Sequence, residues 1–300
     1  MIHTIIVFSR SKKMNEMQSG TPNPLKKYFR QPKIYIPLPS KGNFYPQGAL
    51  DKTENGVFPV YPMTARDEIM MKTPDALVNG ETTVEVIQSC MPNIKDAWQI
   101  PVIDLDVILI AIRLATYGET MDIELETPVT KEKKSYELNL SGMLDQLSTV
   151  NYNNQVQIDE FKVFIKPLTY QEFTKTTLKT YEEQKIFKTL NNVNLSEEEK
   201  LVTFNDSFKK LTDLTIETLE HSILRIETDE FSVTDQNHIK EFVDNSDKDF
   251  FKKVLDHIEA EKDKFTIQPL KVKSTKEEIE AGVPKSYDIP ITFDQSNFFG

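Results

Sequence analysis

The chain has 300 residues, with 36 Lys and Arg against 47 Asp and Glu, four His, one Cys and one Trp, and a formal net charge of −11. A single Cys excludes an intramolecular disulfide framework and any zinc site built on two thiolates, and it fits a reducing compartment. The acidic balance argues against duplex-DNA binding, which needs a concentrated basic face, so nucleic acid is not an expected partner.

Residues 1–27 are rich in Lys, Ser, Asn and Pro with no period, and read as a disordered basic tail. Seven basic residues (Arg10, Lys12, Lys13, Lys26, Lys27, Arg30, Lys33) face one acid, Glu16, in residues 1–35, which leaves the rest of the chain at −17. Such an arm is suited to an acidic protein surface, or is simply a solvated tail. The apolar start Met1–Ser9 precedes its basic residues instead of following them, so no signal peptide is expected, and Met14 is an alternative translation start.

Residues 28–62 carry Pro32, Pro37, Pro39, Pro46, Pro59 and Pro62 among aromatic and β-branched residues. That density excludes a helix and predicts an extended arm that packs on its own body or on a partner. Residues 63–167 read as an α+β core. Thr64 with Asp67 predicts a capping box before a short helix over 67–72. Short helices follow over 81–90 and, capped by Asp104 and stopped by Gly118, over 104–117. The last is apolar almost all round and should be the central buried helix. Its longest apolar run, Val107–Ile112, is flanked by Asp104, Asp106 and Arg113, too short and too charged to cross a membrane.

Alternating patterns over 121–126 and 136–140 predict one β-hairpin, and 156–158 with 161–167 a second, turned at Asp159-Glu160. Residues 168–265 read as a charged helical region. Thr169 with Glu172, and Ser196 with Glu199, predict capped helices over 170–190 and 197–219. Thr234 and Ser246 open two more, ending near 242 and 262. Their Glu/Lys pairs at spacings of three and four are those of solvated helices. Residues 266–300 read as an extended tail, with strands over 267–272 and 289–293 and a helical turn over 275–281. The expected fold class is α+β: an extended N-terminal arm, a small helical core, β-hairpins, a charged helical region and an extended C-terminal tail.

Catalytic chemistry finds no support. His3, His221, His238 and His257 lack metal-ligand spacing, and neither a phosphate-binding glycine loop nor a G-x-S-x-G elbow occurs. Cys90 has no His nearby in sequence and reads as a buried small hydrophobe. Asp104 and Asp106 read as helix capping, Glu124 and Glu126 as the wet face of a strand. No catalytic, cofactor-binding or metal-binding residue, no cofactor and no small-molecule substrate are expected. The aromatics at both ends, Tyr28-Phe29-Arg30 and Phe298-Phe299, need cover from the chain's own core or from a neighbour.

The block Tyr28–Tyr45 (YFRQPKIYIPLPSKGNFY) resembles the opening of the baseplate hub subunit family of T-even-type contractile-tailed phages. So do Pro62–Glu68, Lys72–Leu77, Ile87–Ile94, Ile103–Arg113 and Ala115–Gly118, and the ending Pro290–Phe299 is similar to that family's closing motif. Between 126 and 285 the likeness does not extend beyond generic helices. The resemblance implies a non-enzymatic structural component of the virion tail baseplate, assembled in the host cytoplasm, with other hub or tail tube proteins as partners. A non-virion assembly chaperone for the hub is the alternative. Under this reading Tyr28, Phe29, Arg30, Ile34, Tyr35, Phe44, Tyr45, Phe298 and Phe299 are the expected partner-binding residues.

Overall fold

The computed structural model describes residues 23–72, 80–127, 129, 131, 133–190, 196–289 and 291. The expectations for residues 1–22, and for Phe298 and Phe299, lie outside the described residues. The residues up to Gln31 form a unit of their own, and those from Pro32 onward form a second. In the first, Pro24–Tyr28 makes a 3₁₀ turn whose leading N–H groups are met by Asn23: its side chain accepts from Leu25 N at 2.9 Å.

The second unit is α+β with three apolar clusters. Strands β1 (Ile34–Pro37) and β2 (Val57–Val60) pair antiparallel, Ile36 opposite Phe58. Helices α1 (Ala65–Met71), α2 (Glu81–Cys90) and α3 (Val102–Tyr117) follow. α3 is the centre of the largest cluster: Ile108, Ile110, Ala111 and Ile112 are fully buried, and the helix packs against β1, β2, α2 and the later α4 (Leu140–Ser148). A helix with apolar residues on every side can only be stable when covered on every side. The Thr64–Asp67 box forms as expected, with both reciprocal bonds present. Cys90 is buried among the apolar residues.

Two local expectations are corrected. Asp104 is not the cap of α3. The cap position falls three residues earlier, at Pro101, because Pro101 pairs with Thr169 and Val102 N donates to Leu168 O at 2.9 Å. This frees the Asp104 carboxylate for another element. The last two long helices have their caps one residue after the expected Thr234 and Ser246: Asp235 caps α7 (Gln236–Asn245) and Asp247 caps α8 (Lys248–Asp263). A carboxylate accepts from the first-turn N–H groups as a hydroxyl does and adds a favourable charge at the helix's positive end.

Strands β3 (Thr120–Glu126) and β4 (Lys133–Asn139) form the first expected hairpin. β5 (Gln155–Ile158) and β6 (Phe161–Ile165) form the second, with Asp159 left-handed in the turn at φ 50°. β7 (Ile223–Glu227) and β8 (Ser232–Val233), which the sequence reading did not single out, extend it to a four-stranded antiparallel sheet, β5-β6-β7-β8. That sheet therefore crosses residue 168, where the helical region was expected to begin. α7 and α8 cover it, with Val163, Ile226, Val243 and Val254 in the second cluster.

Helices α5 (Tyr170–Leu190) and α6 (Glu197–Ser222) lie in sequence between β6 and β7; Tyr170 belongs to the first cluster and Leu219 to the second. Glu172 lies 4.0 Å from His221 and Glu183 lies 3.1 Å from Lys210. The numbers rise on one helix as they fall on the other, so the two run antiparallel. The tail forms β9 (Leu270–Lys273), α9 (Lys276–Glu280) and β10 (Ser286–Ile289), with β9 and β10 paired antiparallel.

Candidate interaction surfaces

The extended arm from Pro32 lies on its own chain. β1 alternates: Ile34 is half-buried against the main cluster, Ile36 is buried and Tyr35 points outward, 61% exposed. The backbone partner of β1 is β2 of the same chain. Beyond it, Leu38–Tyr45 turns sharply, with Lys41, Gly42 and Phe44 all at positive φ. For a bulky residue such as Phe44 this is strain that the surroundings must hold in place. Its ring is held edge-on against Tyr152, centroids 5.6 Å apart.

The fastening of this loop is Asp104. Its Oδ1 accepts the Ser40 N–H at 2.7 Å, and its Oδ2 accepts the Ser40 hydroxyl at 2.5 Å and the Tyr45 hydroxyl at 2.9 Å. Ser40 Oγ also accepts from Gly42 N at 3.1 Å, which closes the turn. Asp104 has no exposed surface. Burial pushes its carboxyl up to about 6, against the opposing pull of the bonds from Ser40 and Tyr45. Burial, and then the nearby Asp104 charge, raise the Tyr45 hydroxyl well above its ordinary range. The loop is thus tied to the central helix by three hydrogen bonds to one buried carboxylate.

The structure therefore divides the expected partner-binding residues. Ile34, Phe44 and Tyr45 are half-buried and make contacts within the chain. Tyr35 faces solvent. In the separate N-terminal unit Tyr28 is 73% exposed and Phe29 is 55% exposed, Arg30 is half-buried, and the Lys27 ammonium sits 4.9 Å from the Tyr28 ring centroid.

Sequence reasoning missed one apolar surface. On α6, Leu201, Phe204 and Phe208 are exposed, with the two phenylalanine rings stacked at 6.4 Å. Their spacing of three and four was the available signal, but the surrounding charges led to a reading of solvated helix. The groups considered for chemistry are scattered: His257 Nε2 lies 3.0 Å from Asn153 O, His238 is exposed, and Glu124 and Glu126 lie on the wet face of β3. Among the described residues no group of three or more His, Cys, Asp or Glu side chains could hold a metal ion, and no helix is long and apolar enough to cross a membrane.

The model of the family described as T4 bacteriophage base plate protein matches residues 50–286, from the Asp104-bearing core through the four-stranded sheet to the β9–β10 hairpin. No curated protein matches the chain, and no solved structure does. With most of its length matched, the chain belongs to the T4 bacteriophage base plate protein family and has a structural role in the phage tail baseplate.

Proposed function

We propose that the chain is a structural subunit of the central hub of the baseplate, built into it during tail assembly in the host cytoplasm by contacts with other hub or tail tube proteins. The observation that carries this reading is the exposed aromatics that sit beside basic residues within each unit: Tyr28 and Phe29 with Lys26 and Lys27 in the first, and Tyr35 with Lys33 in the second. Tyr28, Phe29 and Tyr35 offer large rigid anchors, and Lys26, Lys27, Arg30 and Lys33 supply charge for an acidic partner. Ile34, Phe44 and Tyr45 take a different part: they seat the arm on the core so that Tyr35 is presented. Phe298 and Phe299 are proposed as a second anchor. A single buried thiol, Cys90, supports assembly in a reducing compartment.

Two measurements test this. Mass spectrometry of purified virions should find peptides from residues 80–118 and 200–263 at a stoichiometry comparable to other hub proteins. Their absence from virions, with the protein abundant in infected-cell lysate, would turn the assignment to an assembly chaperone that leaves before maturation. A Tyr28→Ser/Phe29→Ser variant and a chain lacking Asn297–Gly300 should each enter baseplates less efficiently than the intact chain. Incorporation at the level of the intact chain would remove those residues from the interface.

A further inference from the structure

Asp106 lies two residues past Asp104 on α3 and shares none of its partners. It is half-buried, and among the described residues it makes no hydrogen bond and no ion pair. It does not cap α3 either, whose cap position is Pro101. Every other Asp or Glu that is buried or half-buried among those residues has a partner. Asp67 accepts from Ser89, Glu172 from Lys166, Glu220 from Lys240, Glu261 from Asn153 and Glu278 from Lys134. Asp104 holds Ser40 and Tyr45, Asp96 caps a 3₁₀ turn, Glu68 bonds Tyr117, and Glu183 and Glu227 lie in ion pairs. A partly buried carboxylate without a donor is costly, and burial pushes the Asp106 carboxyl above its ordinary value. Nothing in the chain's own fold offsets that cost.

Asp106 lines a pocket of about 170 Å³. Ile103 and Leu105 of α3, Phe173 of α5 and Phe265 just past α8 give it apolar walls. Phe265 is buried and packs on Tyr152, ring centroids 6.3 Å apart, and Tyr152 meets Phe44 in turn. The walls are therefore held by the same loop that Asp104 fastens. Small-molecule sites run to roughly 300–1,000 Å³; this one has room for a single side chain.

The lining fixes what that side chain carries. A carboxylate with no donor on either oxygen calls for a cation. A hard metal ion needs several oxygen ligands, and among the described residues no cluster supplies them. An arginine meets every part of the site. Its planar guanidinium sets two parallel N–H groups against the two oxygens of one carboxylate. Its methylene stem lies along apolar walls, and Phe173 and Phe265 offer it aromatic faces. A lysine brings a point charge that is more strongly hydrated and has no such fork. Lys262, the other charged group at the pocket, makes no ion pair with Asp106 and is exposed, so its ammonium is free to turn to water as a guest enters.

We infer that this pocket is a socket for one arginine side chain of another baseplate protein, with the Asp106 carboxylate as its partner. The inference rests on the baseplate role that the family match gives and not on the hub assignment.

Asp106→Asn tests it, because it keeps the shape of the side chain and removes the charge. With no partner inside the chain, the isolated variant should have a thermal midpoint equal to or above that of the intact protein. In direct competition with the intact chain it should enter baseplates about tenfold less well, as the loss of one charge-assisted pair requires. A lowered midpoint would reveal an internal partner and overturn the socket, and so would incorporation equal to that of the intact chain. A photo-cross-linker then names the guest. Thr266 lines the pocket and is exposed. With p-benzoylphenylalanine in its place, irradiation of complexes that hold the chain should capture an arginine-bearing peptide of another tail protein, and Asp106→Asn should abolish the capture. Capture of this chain's own basic segment, of a peptide without arginine, or of nothing would overturn the socket. Virion baseplates and assembly intermediates serve equally for the irradiation, so a chain that leaves before maturation would end the hub assignment and leave the socket to be judged separately.

Discussion

Replacing Asp104 by Asn keeps the shape of the fastening and removes its charge. In the native chain the Ser40 N–H, the Ser40 hydroxyl and the Tyr45 hydroxyl all donate to this carboxylate. The Asn oxygen can keep one of these donors, and its NH₂ now faces the hydroxyls. Bonds to a charged acceptor contribute about 1.5–3 kcal/mol each, but the buried charge has its own desolvation cost. At pH 7 these opposing effects leave a net loss of about 1–2 kcal/mol for Asn. Asp104→Ala strands all three donors and should cost about 3–5 kcal/mol.

The pH dependence separates this account from a generic packing defect. The folded carboxyl titrates at about 6 against an ordinary 3.8. The folded state therefore binds this proton more readily than the unfolded state between those values. A group raised in this way adds stability at low pH that is lost as pH rises through 6. At about 1.4 kcal/mol per unit, native stability relative to Asp104→Asn should grow by about 2–3 kcal/mol on going from pH 7 to pH 4. Taking the difference between the two proteins cancels every other carboxylate, including Glu172, which shifts the opposite way. Urea titrations read by Trp98, the chain's only tryptophan, report the cluster built on the helix that carries Asp104, since Trp98 stacks on Tyr170 and packs against that cluster. A difference that stays flat from pH 7 to pH 4 would refute the reasoning.

Three further changes should be felt in the same cluster. Gly80→Ala places a methyl 2.9 Å from Tyr170 Oη and 3.3 Å from the Trp98 ring, at φ 81°; it should lower the thermal midpoint and shift Trp98 emission, whereas Gly48→Ala, also left-handed but in open space, should do only the former. Ile110→Ala opens a cavity at a fully buried position and should cost about 2–5 kcal/mol in urea. Thr64→Ala removes one side of the capping box, whose hydroxyl accepts from Asp67 N at 3.2 Å, and should cost about 1 kcal/mol by calorimetry.

Most of what was legible in the sequence is local. The capping boxes at Thr64, Thr169 and Ser196 bind residues three apart, and all three form. The helix over 81–90 and the hairpin turned at Asp159-Glu160 are likewise written within a few residues. What was not legible joins distant segments. β7 pairs with β6 across some sixty residues, Lys162 opposite Glu227, and nothing within Ile223–Glu227 names that partner.

Asp104 shows why such links escape. A carboxylate near the start of an apolar helix has a sufficient local explanation as a cap, and Ser40 and Tyr45, in a proline-rich loop, have one as turn and anchor residues. Only the fold brings the three within hydrogen-bond distance over separations of 64 and 59 residues. The α6 aromatics are the converse: the spacing of Leu201, Phe204 and Phe208 is plain in sequence, and the fold leaves all three more than a third exposed, yet a spacing does not name what the side chains meet.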